Sequence, residues 1–251
     1  EKTTRIIDLE DSVKDATNIE RSGRLKEEAR KSLLEYLPSD NEPFCLRIND
    51  LRSFFWKDDI ELISSLKDKV DFKNLCQGIV LSKTNSVEEV RELTSLLNDK
   101  GLNPAIIPLI ETLQGMDNLG QIINEKNIKS IIFGHHDYFY EKGVFPIPNT
   151  ALSSREYSNI LEQITSVLKD NKIEFIDGIC PYLYDKEIMQ DSCRYLYQQN
   201  KDGYLGKLAL NPKQVEAIDS TDDWDKELEL TSEDDEVSIE KKRSIAREIV
   251  K

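Results

Sequence analysis

Acidic side chains and one arginine follow the apolar segments of this sequence, at the points where strands are predicted to end. Glu10 and Asp11 follow the first segment, Arg47 lies near the end of the second, and Glu111 and Asp137 follow the fourth and fifth. Carboxylates gathered at one edge of a sheet repel each other unless a cation compensates their charge. The pattern therefore favours a binding or catalytic site over a structural role.

Two of these carboxylates, Glu111 and Asp137, are candidate ligands for a divalent cation. Waters and a substrate oxygen would complete an octahedral site for Mg²⁺, with Mn²⁺ as the alternative. Either residue alone is as well explained as a strand-end cap of the next helix. The planar guanidinium of Arg47 suits a carboxylate or a carbonyl oxygen that gains negative charge. Together these groups would stabilise an enolate, which is the requirement for chemistry next to a carbonyl.

The two histidines of the chain, His135 and His136, directly precede Asp137. Neighbouring residues of an extended segment point in opposite directions, so at most one of the two should face the site. We take His136 as the candidate general acid or base. For either histidine, packing or support of other groups is the alternative interpretation.

Short apolar segments alternate with amphipathic ones along most of the chain. Ser86–Leu97 and Tyr157–Leu168 each place apolar residues at helical spacing. This alternation predicts an α/β fold of parallel βαβ units. The predicted strands are Arg5–Leu9, Phe44–Ile48, Gly78–Leu81, Ala105–Ile110, Ser130–Phe133, Phe175–Ile179 and Lys207–Leu210.

The predicted architecture is a TIM (β/α)8 barrel, whose usual length the 251 residues match. Seven predicted strands are one too few, so we expect the first strand upstream of Glu1; a seven-stranded open sheet is the rival fold. Residues 1–218 would form the catalytic barrel. Residues 219–251 would form an acidic linker and a helix from about Ser232 to Val250, which closes the site or contacts another subunit.

Composition excludes several classes of function. A net charge of −14 opposes binding to nucleic acid. The sequence contains no apolar run of the roughly 18–20 residues that a membrane span requires. The cysteines are widely spaced and fit reduced thiols, which predicts a cytoplasmic protein; they are Cys45, Cys76, Cys180 and Cys193.

Short motifs follow one another in a set order between Asp8 and Gln214. They are Asp8-Leu9-Glu10-Asp11-Ser12-Val13, Lys26-x-x-Ala29-Arg30, Leu46-Arg47-Ile48-Asn49, Gly78-Ile79-Val80-Leu81-Ser82-Lys83, Pro108-Leu109-Ile110-Glu111-Thr112 with Gly115, Phe133-Gly134-x-x-Asp137, Asp177-Gly178, and Gly206-Lys207-x-Ala209-x-Asn211-Pro212-x-Gln214. In order and spacing this set resembles the citrate lyase beta subunit family, with its malyl-CoA lyase and class II pyruvate aldolase relatives.

The resemblance implies roles for the candidate residues. It places the magnesium ligands on Glu111 and Asp137 and the substrate-binding arginine on Arg47. It assigns Glu10 and Asp11 to the support of Arg47 or of a water on the metal. It also implies a first strand before Asp8, and a homo-oligomer, trimeric or hexameric, with a C-terminal segment that closes the site.

The substrate is less well defined by the resemblance. Many relatives bind acyl-CoA thioesters through basic residues, for which Lys26, Arg30 and Lys83 are the candidates. Asn211 replaces the histidine that is usual in the family, and Tyr138–Pro148 is unusually rich in aromatic residues and proline. These departures leave the use of CoA open.

We therefore expect a Mg²⁺-dependent carbon–carbon lyase or aldolase that acts through a metal-stabilised enolate on a 2-oxo acid or an acyl-CoA. The base that moves the proton would be Glu10, Asp11, one of the histidines or the tail of a neighbouring subunit. One alternative is a CoA-independent aldolase for a sugar-derived hydroxy-oxo acid. The alternative outside enzymes is an inactive barrel with a binding or assembly role.

Overall fold

The computed structural model describes residues 4–169, 171–181, 185–199 and 204–228. The chain divides into two compact units, Glu1–Ile132 and Phe133–Lys251. The predicted C-terminal helix, Ser232–Val250, lies outside the described residues. Among the described helices, none combines the length and apolar character that crossing a membrane demands.

The first unit is a parallel sheet whose strands are neighbours in chain order. Its strands are β1 (Arg5–Asp8), β2 (Phe44–Ile48), β3 (Cys76–Leu81), β4 (Ile106–Ile110) and β5 (Ser130–Phe133), the last of which runs into the second unit. Its helices are α1 (Ile19–Tyr36), α2 (Trp56–Leu66), α3 (Phe72–Leu75), α4 (Val87–Asp99), α5 (Leu113–Asp117) and α6 (Leu119–Ile122). Parallel neighbours require crossover connections, which these helices provide.

Local sequence explains where the longer helices of this unit begin. The Asn18 side chain accepts a hydrogen bond from the Arg21 amide at the start of α1. The Ser86 hydroxyl accepts one from the Glu89 amide at the start of α4. Such caps satisfy backbone N–H groups that lack a partner within the helix. All five residues of β4 are buried, as expected for a strand covered on both faces.

The second unit pairs β6 (Glu174–Asp177) with β7 (Tyr204–Lys207) in parallel. Its helices are α7 (His135–Lys142), α8 (Arg155–Lys169), α9 (Lys186–Gln199) and α10 (Pro212–Asp219). The prediction of a strand at Lys207–Leu210 was wrong, because the strand ends at Lys207 and Leu210 is largely exposed. Asn211, the departure from the family histidine, caps α10 by accepting a hydrogen bond from the Gln214 amide.

The extended backbone assumed for the two histidines was also wrong. β5 ends at Phe133, Gly134 follows it, and both histidines lie in the first turn of α7. His135 is buried and His136 is exposed.

The α/β class with parallel strands and alternating helices is confirmed. Closure into a (β/α)8 barrel, the strand upstream of Glu1 and the division at residue 218 stay predictions.

The second unit contains a buried charged cluster. Lys207 forms an ion pair with Asp177, and the Tyr157 hydroxyl donates a hydrogen bond of 2.7 Å to the Asp177 carboxylate. The Lys207 and Asp177 side chains are 1% and 2% exposed. Asp177 ends β6 and Lys207 ends β7, so this ion pair connects the two strands. Removing either partner would leave an uncompensated buried charge.

His135 packs against the Tyr157 ring of that cluster, with ring centroids 4.8 Å apart and planes 26° from parallel. Neither imidazole nitrogen has a hydrogen-bond partner among the described residues. A side chain at Gly178 would lie 2.7 Å from His135 Nδ1, so the glycine makes room for the ring. Burial, offset only in part by the Asp177 charge, lowers the pKa of His135 to about 3.

The pKa of His135 predicts a loss of stability in mild acid. The unfolded chain binds a proton at His135 below its ordinary pKa of 6.5, whereas the folded chain does so only near pH 3. Above pH 7 His135 is neutral in both states, so it does not change the free energy of unfolding. Between pH 7 and pH 5 protonation of His135 in the unfolded chain should lower this free energy by about 2 kcal/mol. His135→Phe should lower this acid dependence in urea unfolding at the two pH values.

His136→Gln is the matched control, since it removes an exposed imidazole from the same helical turn. We expect this variant to keep the acid dependence of the parent chain. An equal pH dependence in His135→Phe and the parent would contradict the assignment of the effect to His135.

Candidate active site

The site begins with an ion pair that the sheet register creates. Asp8 of β1 lies directly opposite Arg47 of β2. Arg47 Nε donates to Asp8 Oδ1 at 2.6 Å, and Nη2 donates to Oδ2. Burial alone would raise the pKa of Asp8, but the guanidinium outweighs it and holds this pKa well below the usual range. One edge of the Arg47 fork is therefore fixed by protein.

The other edge of Arg47 faces two more carboxylates. Nη1 lies 3.8 Å from Glu10 Oε2 and 3.8 Å from Asp11 Oδ2. Glu10 is 6% exposed, and its Oε2 has no hydrogen-bond partner among the described residues. Burial and the nearby charge of Asp11 raise the pKa of Glu10. This edge of the arginine is thus directed at the carboxylates of Glu10 and Asp11.

Lys26 of α1 fixes the backbone that carries these carboxylates. Its ammonium group donates to the carbonyl oxygens of Leu9 at 2.7 Å and Glu10 at 2.6 Å, and the residue is 2% exposed. Burial lowers the pKa of Lys26. Lys26 therefore orients the backbone of the Glu10 segment. The contact between Lys26 and a substrate stays a prediction.

Arg30, one turn further along α1, is also engaged by protein atoms. Its Nε donates to Asp59 at 2.8 Å and its Nη2 donates to the Phe55 carbonyl at 3.0 Å. Asp59 in turn accepts hydrogen bonds from the backbone and side chain of Asn49. This network joins α1, α2 and the end of β2, so the substrate-binding role predicted for Arg30 likewise remains untested.

Lys83 joins the Glu10 carboxylate to that of Glu111. The residue follows β3 with a φ of 48°, in the left-handed region. Its backbone N–H donates to Glu111 Oε1 at 2.9 Å. Its Nζ lies 3.0 Å from Glu10 Oε1 and 4.0 Å from Glu111 Oε1. Burial alone would lower the pKa of Lys83, but the charges of Glu111 and Glu10 raise this pKa by more than burial lowers it.

The structure thus brings together Glu10, Asp11, Arg47, Lys83 and Glu111 at the carboxyl ends of β1 to β4. Asp137 lies in the first turn of α7, half-buried, in the second unit. Joint binding of a cation by Glu111 and Asp137 and the acid–base role of His136 therefore stay predictions.

The described residues fit a metal site with few protein ligands. Among them, no three His, Cys, Asp or Glu side chains form a metal-binding group. Magnesium is commonly held by one or two carboxylates, with waters and substrate oxygens completing its shell. The buried Glu111 carboxylate and the unpartnered Glu10 Oε2 are hard oxygen donors of the kind that this ion prefers.

Sequence reasoning assigned no role to Asp8, although the residue opens the acidic motif. Its contact with Arg47 could have been recognised from the sequence, since Asp8 and Arg47 occupy equivalent places in two adjacent predicted strands. Parallel pairing of those strands places the two side chains next to each other.

Comparisons with known sequences identify the family of this chain. The family model for HpcH/HpaI aldolase/citrate lyase matches residues 5–212. A "Citrate lyase subunit beta-like protein" from Deinococcus radiodurans is 24% identical over 213 residues, which are 84% of this chain and 68% of that protein.

Solved structures share the fold. CitE from Mycobacterium tuberculosis in complex with magnesium, acetoacetate and coenzyme A has a TM-score of 0.67 and 20% identity, over 86% of this chain and 70% of that chain. The citrate lyase beta subunit from M. tuberculosis with oxaloacetate and magnesium has a TM-score of 0.63 and 19% identity, over 86% and 84%. The family model covers most of the sequence, and this chain belongs to the HpcH/HpaI aldolase/citrate lyase family.

Proposed function

We propose that this protein is a Mg²⁺-dependent carbon–carbon lyase or aldolase that acts on a 2-oxo acid. The observation that carries the proposal is the clamped Arg47, whose second edge faces Glu10 and Asp11. Family membership supports a lyase. The magnesium and oxaloacetate named for the M. tuberculosis citrate lyase beta subunit support the cation and the substrate class.

Arg47 would stabilise the negative charge that develops on the substrate carbonyl oxygen. Its contact with Asp8 holds the guanidinium in place before substrate arrives. A group that is already oriented needs little reorganisation during the reaction, which makes its electrostatic effect larger. The Nη1 edge is the part of the side chain that would face this oxygen.

Glu111 and, as predicted from the sequence, Asp137 would hold the divalent cation. When bound, this cation would attract the carbonyl and carboxylate oxygens of the oxo acid and withdraw electron density from them. The Lys83 backbone N–H orients Glu111 by binding its Oε1. Glu111 is thereby held in one orientation at the end of β4.

Glu10 fits the role of proton acceptor best among the candidates Glu10, Asp11 and His136. Its Oε2 is buried and without a hydrogen-bond partner among the described residues, and its pKa is raised. A raised pKa makes a carboxylate a stronger base near neutral pH. Lys26 keeps this residue in place through the carbonyl oxygens of Leu9 and Glu10.

A CoA-independent aldolase for a hydroxy-oxo acid is the second candidate. The basic side chains of Lys26 and Arg30, which were candidates for binding the nucleotide, donate their hydrogen bonds to protein oxygens. The thioester substrate therefore has less support than the oxo acid. A cytoplasmic location and a trimer or hexamer remain part of the proposal.

Ligand-dependent thermal unfolding separates these candidates. A ligand that binds the folded state raises the unfolding midpoint. We expect a rise with Mg²⁺ plus oxaloacetate or pyruvate that is absent without Mg²⁺. A further rise with acetyl-CoA would favour the thioester substrate, and no Mg²⁺-dependent rise with any oxo acid would favour the inactive barrel.

Glu111→Gln should lower magnesium affinity and turnover together, each by about tenfold or more. The amide keeps the shape of the side chain and an oxygen for the Lys83 N–H, so the fold should survive. Calorimetric Mg²⁺ titration and oxaloacetate cleavage assays measure the two effects. Full activity with Mg²⁺ in this variant would refute the ligand assignment.

Asp8→Asn should lower kcat/KM by about 10-fold to 100-fold, because Arg47 loses the partner that orients it. Steady-state kinetics with the 2-oxo acid measure the loss, and circular dichroism checks that the variant is folded. Asp40→Asn is the matched control, since it breaks an ion pair with Arg5 away from Arg47. Equal kinetics of the two variants would show that the Asp8 contact has no catalytic role.

A further inference from the structure

Lys83 contacts the Glu111 carboxylate in two separate ways. Its backbone N–H donates to Glu111 Oε1 at 2.9 Å, and its ammonium group lies 4.0 Å from the same oxygen. The left-handed backbone conformation at Lys83 accompanies this double contact. The orienting N–H and the charged side chain are therefore separable, because a side-chain substitution leaves the N–H in place.

The ammonium group also binds the second carboxylate of the site. It lies 3.0 Å from Glu10 Oε1, and the Glu10 side chain is only 8% exposed. At these distances, and beside carboxylates that are 8% and 5% exposed, the ammonium charge interacts favourably with both Glu10 and Glu111. A divalent cation that uses Glu111 would come close to this ammonium group and be repelled by it.

We propose that the Lys83 ammonium group, which its contact with Glu10 keeps beside Glu111, competes with the divalent cation for Glu111 and thereby weakens the binding of the cation. This inference rests on the proposed function, because it takes Glu111 as a ligand of the cation. The cation enters as the ammonium group moves away from Glu111.

The competing ammonium predicts that its removal improves metal binding. Lys83→Met keeps the backbone N–H and the length of the apolar stem but removes the charge. We expect the Kd for Mg²⁺, titrated calorimetrically into the protein without substrate, to fall about tenfold, within the usual range of coupling between two sites. An unchanged or higher Kd overturns the inference.

Two control variants separate the charge from other effects. Lys83→Arg keeps a positive charge at the site, so its Kd should stay within about twofold of the parent, far below a typical coupling. Lys100→Met makes the same substitution at a partly exposed ion pair with Glu61 in the same unit. A tenfold gain in Lys100→Met would show that only the net charge of the protein matters, and would also overturn the inference.

A second measurement needs no metal. In EDTA, Lys83→Met should lower the unfolding midpoint more in the parent than in a Glu10→Gln background. In that background the carboxylate charge with which the ammonium group interacts has already been removed. This double-mutant cycle reports the interaction between the two side chains. Additive effects of the two substitutions would show that the contact with Glu10 has no energetic weight and would overturn the competition.

Failure of the proposed function has a different signature. If neither the parent nor any variant binds Mg²⁺, with or without oxaloacetate, the metal-dependent lyase is refuted and the competition with it. If the parent binds Mg²⁺, Glu111→Gln loses it and Lys83→Met binds it no better, only the role of Lys83 is refuted.

Discussion

Compensation of negative charge at the ends of parallel strands is the constraint on which the rest of the first unit depends. Asp8, Glu10, Asp11 and Glu111 lie where their mutual repulsion would oppose folding. Arg47 and Lys83 supply the compensating charges at distances between 2.5 and 4.0 Å. The carboxylates and cations of this edge therefore stabilise one another, and any substitution in the set changes the charge balance of its neighbours.

A second group of buried polar residues supports this edge from α1 and α2. Lys26 fixes the carbonyl oxygens of Leu9 and Glu10, and Arg30 binds Asp59, which holds Asn49 after β2. Buried polar networks of this kind stabilise only when every member is paired. The hydrogen bonds of Lys26 thus reach the Glu10 segment through its backbone carbonyl oxygens.

The second unit uses the same physical device for a different end. Its buried ion pair, Asp177 with Lys207, is completed by the Tyr157 hydroxyl and lies beside the neutral His135. Here the charges bind strands to each other and to α8, and burial keeps the imidazole from binding a proton. Of the two histidines, His136 is the exposed one.

The sequence by itself determined the parallel α/β class, the family and most element positions. Alternating apolar segments and caps such as Ser86 depend only on local side-chain chemistry, so they can be read without coordinates. The same reasoning grouped Glu10, Asp11, Arg47 and Glu111 at strand ends. Tertiary structure alone decided the pairing of Asp8 with Arg47, the burial of Lys26 and Arg30, and the bridge from Lys83 to two carboxylates. These contacts join residues that are 16 to 73 positions apart in the chain, and their partners follow from strand register and burial, which no local pattern encodes.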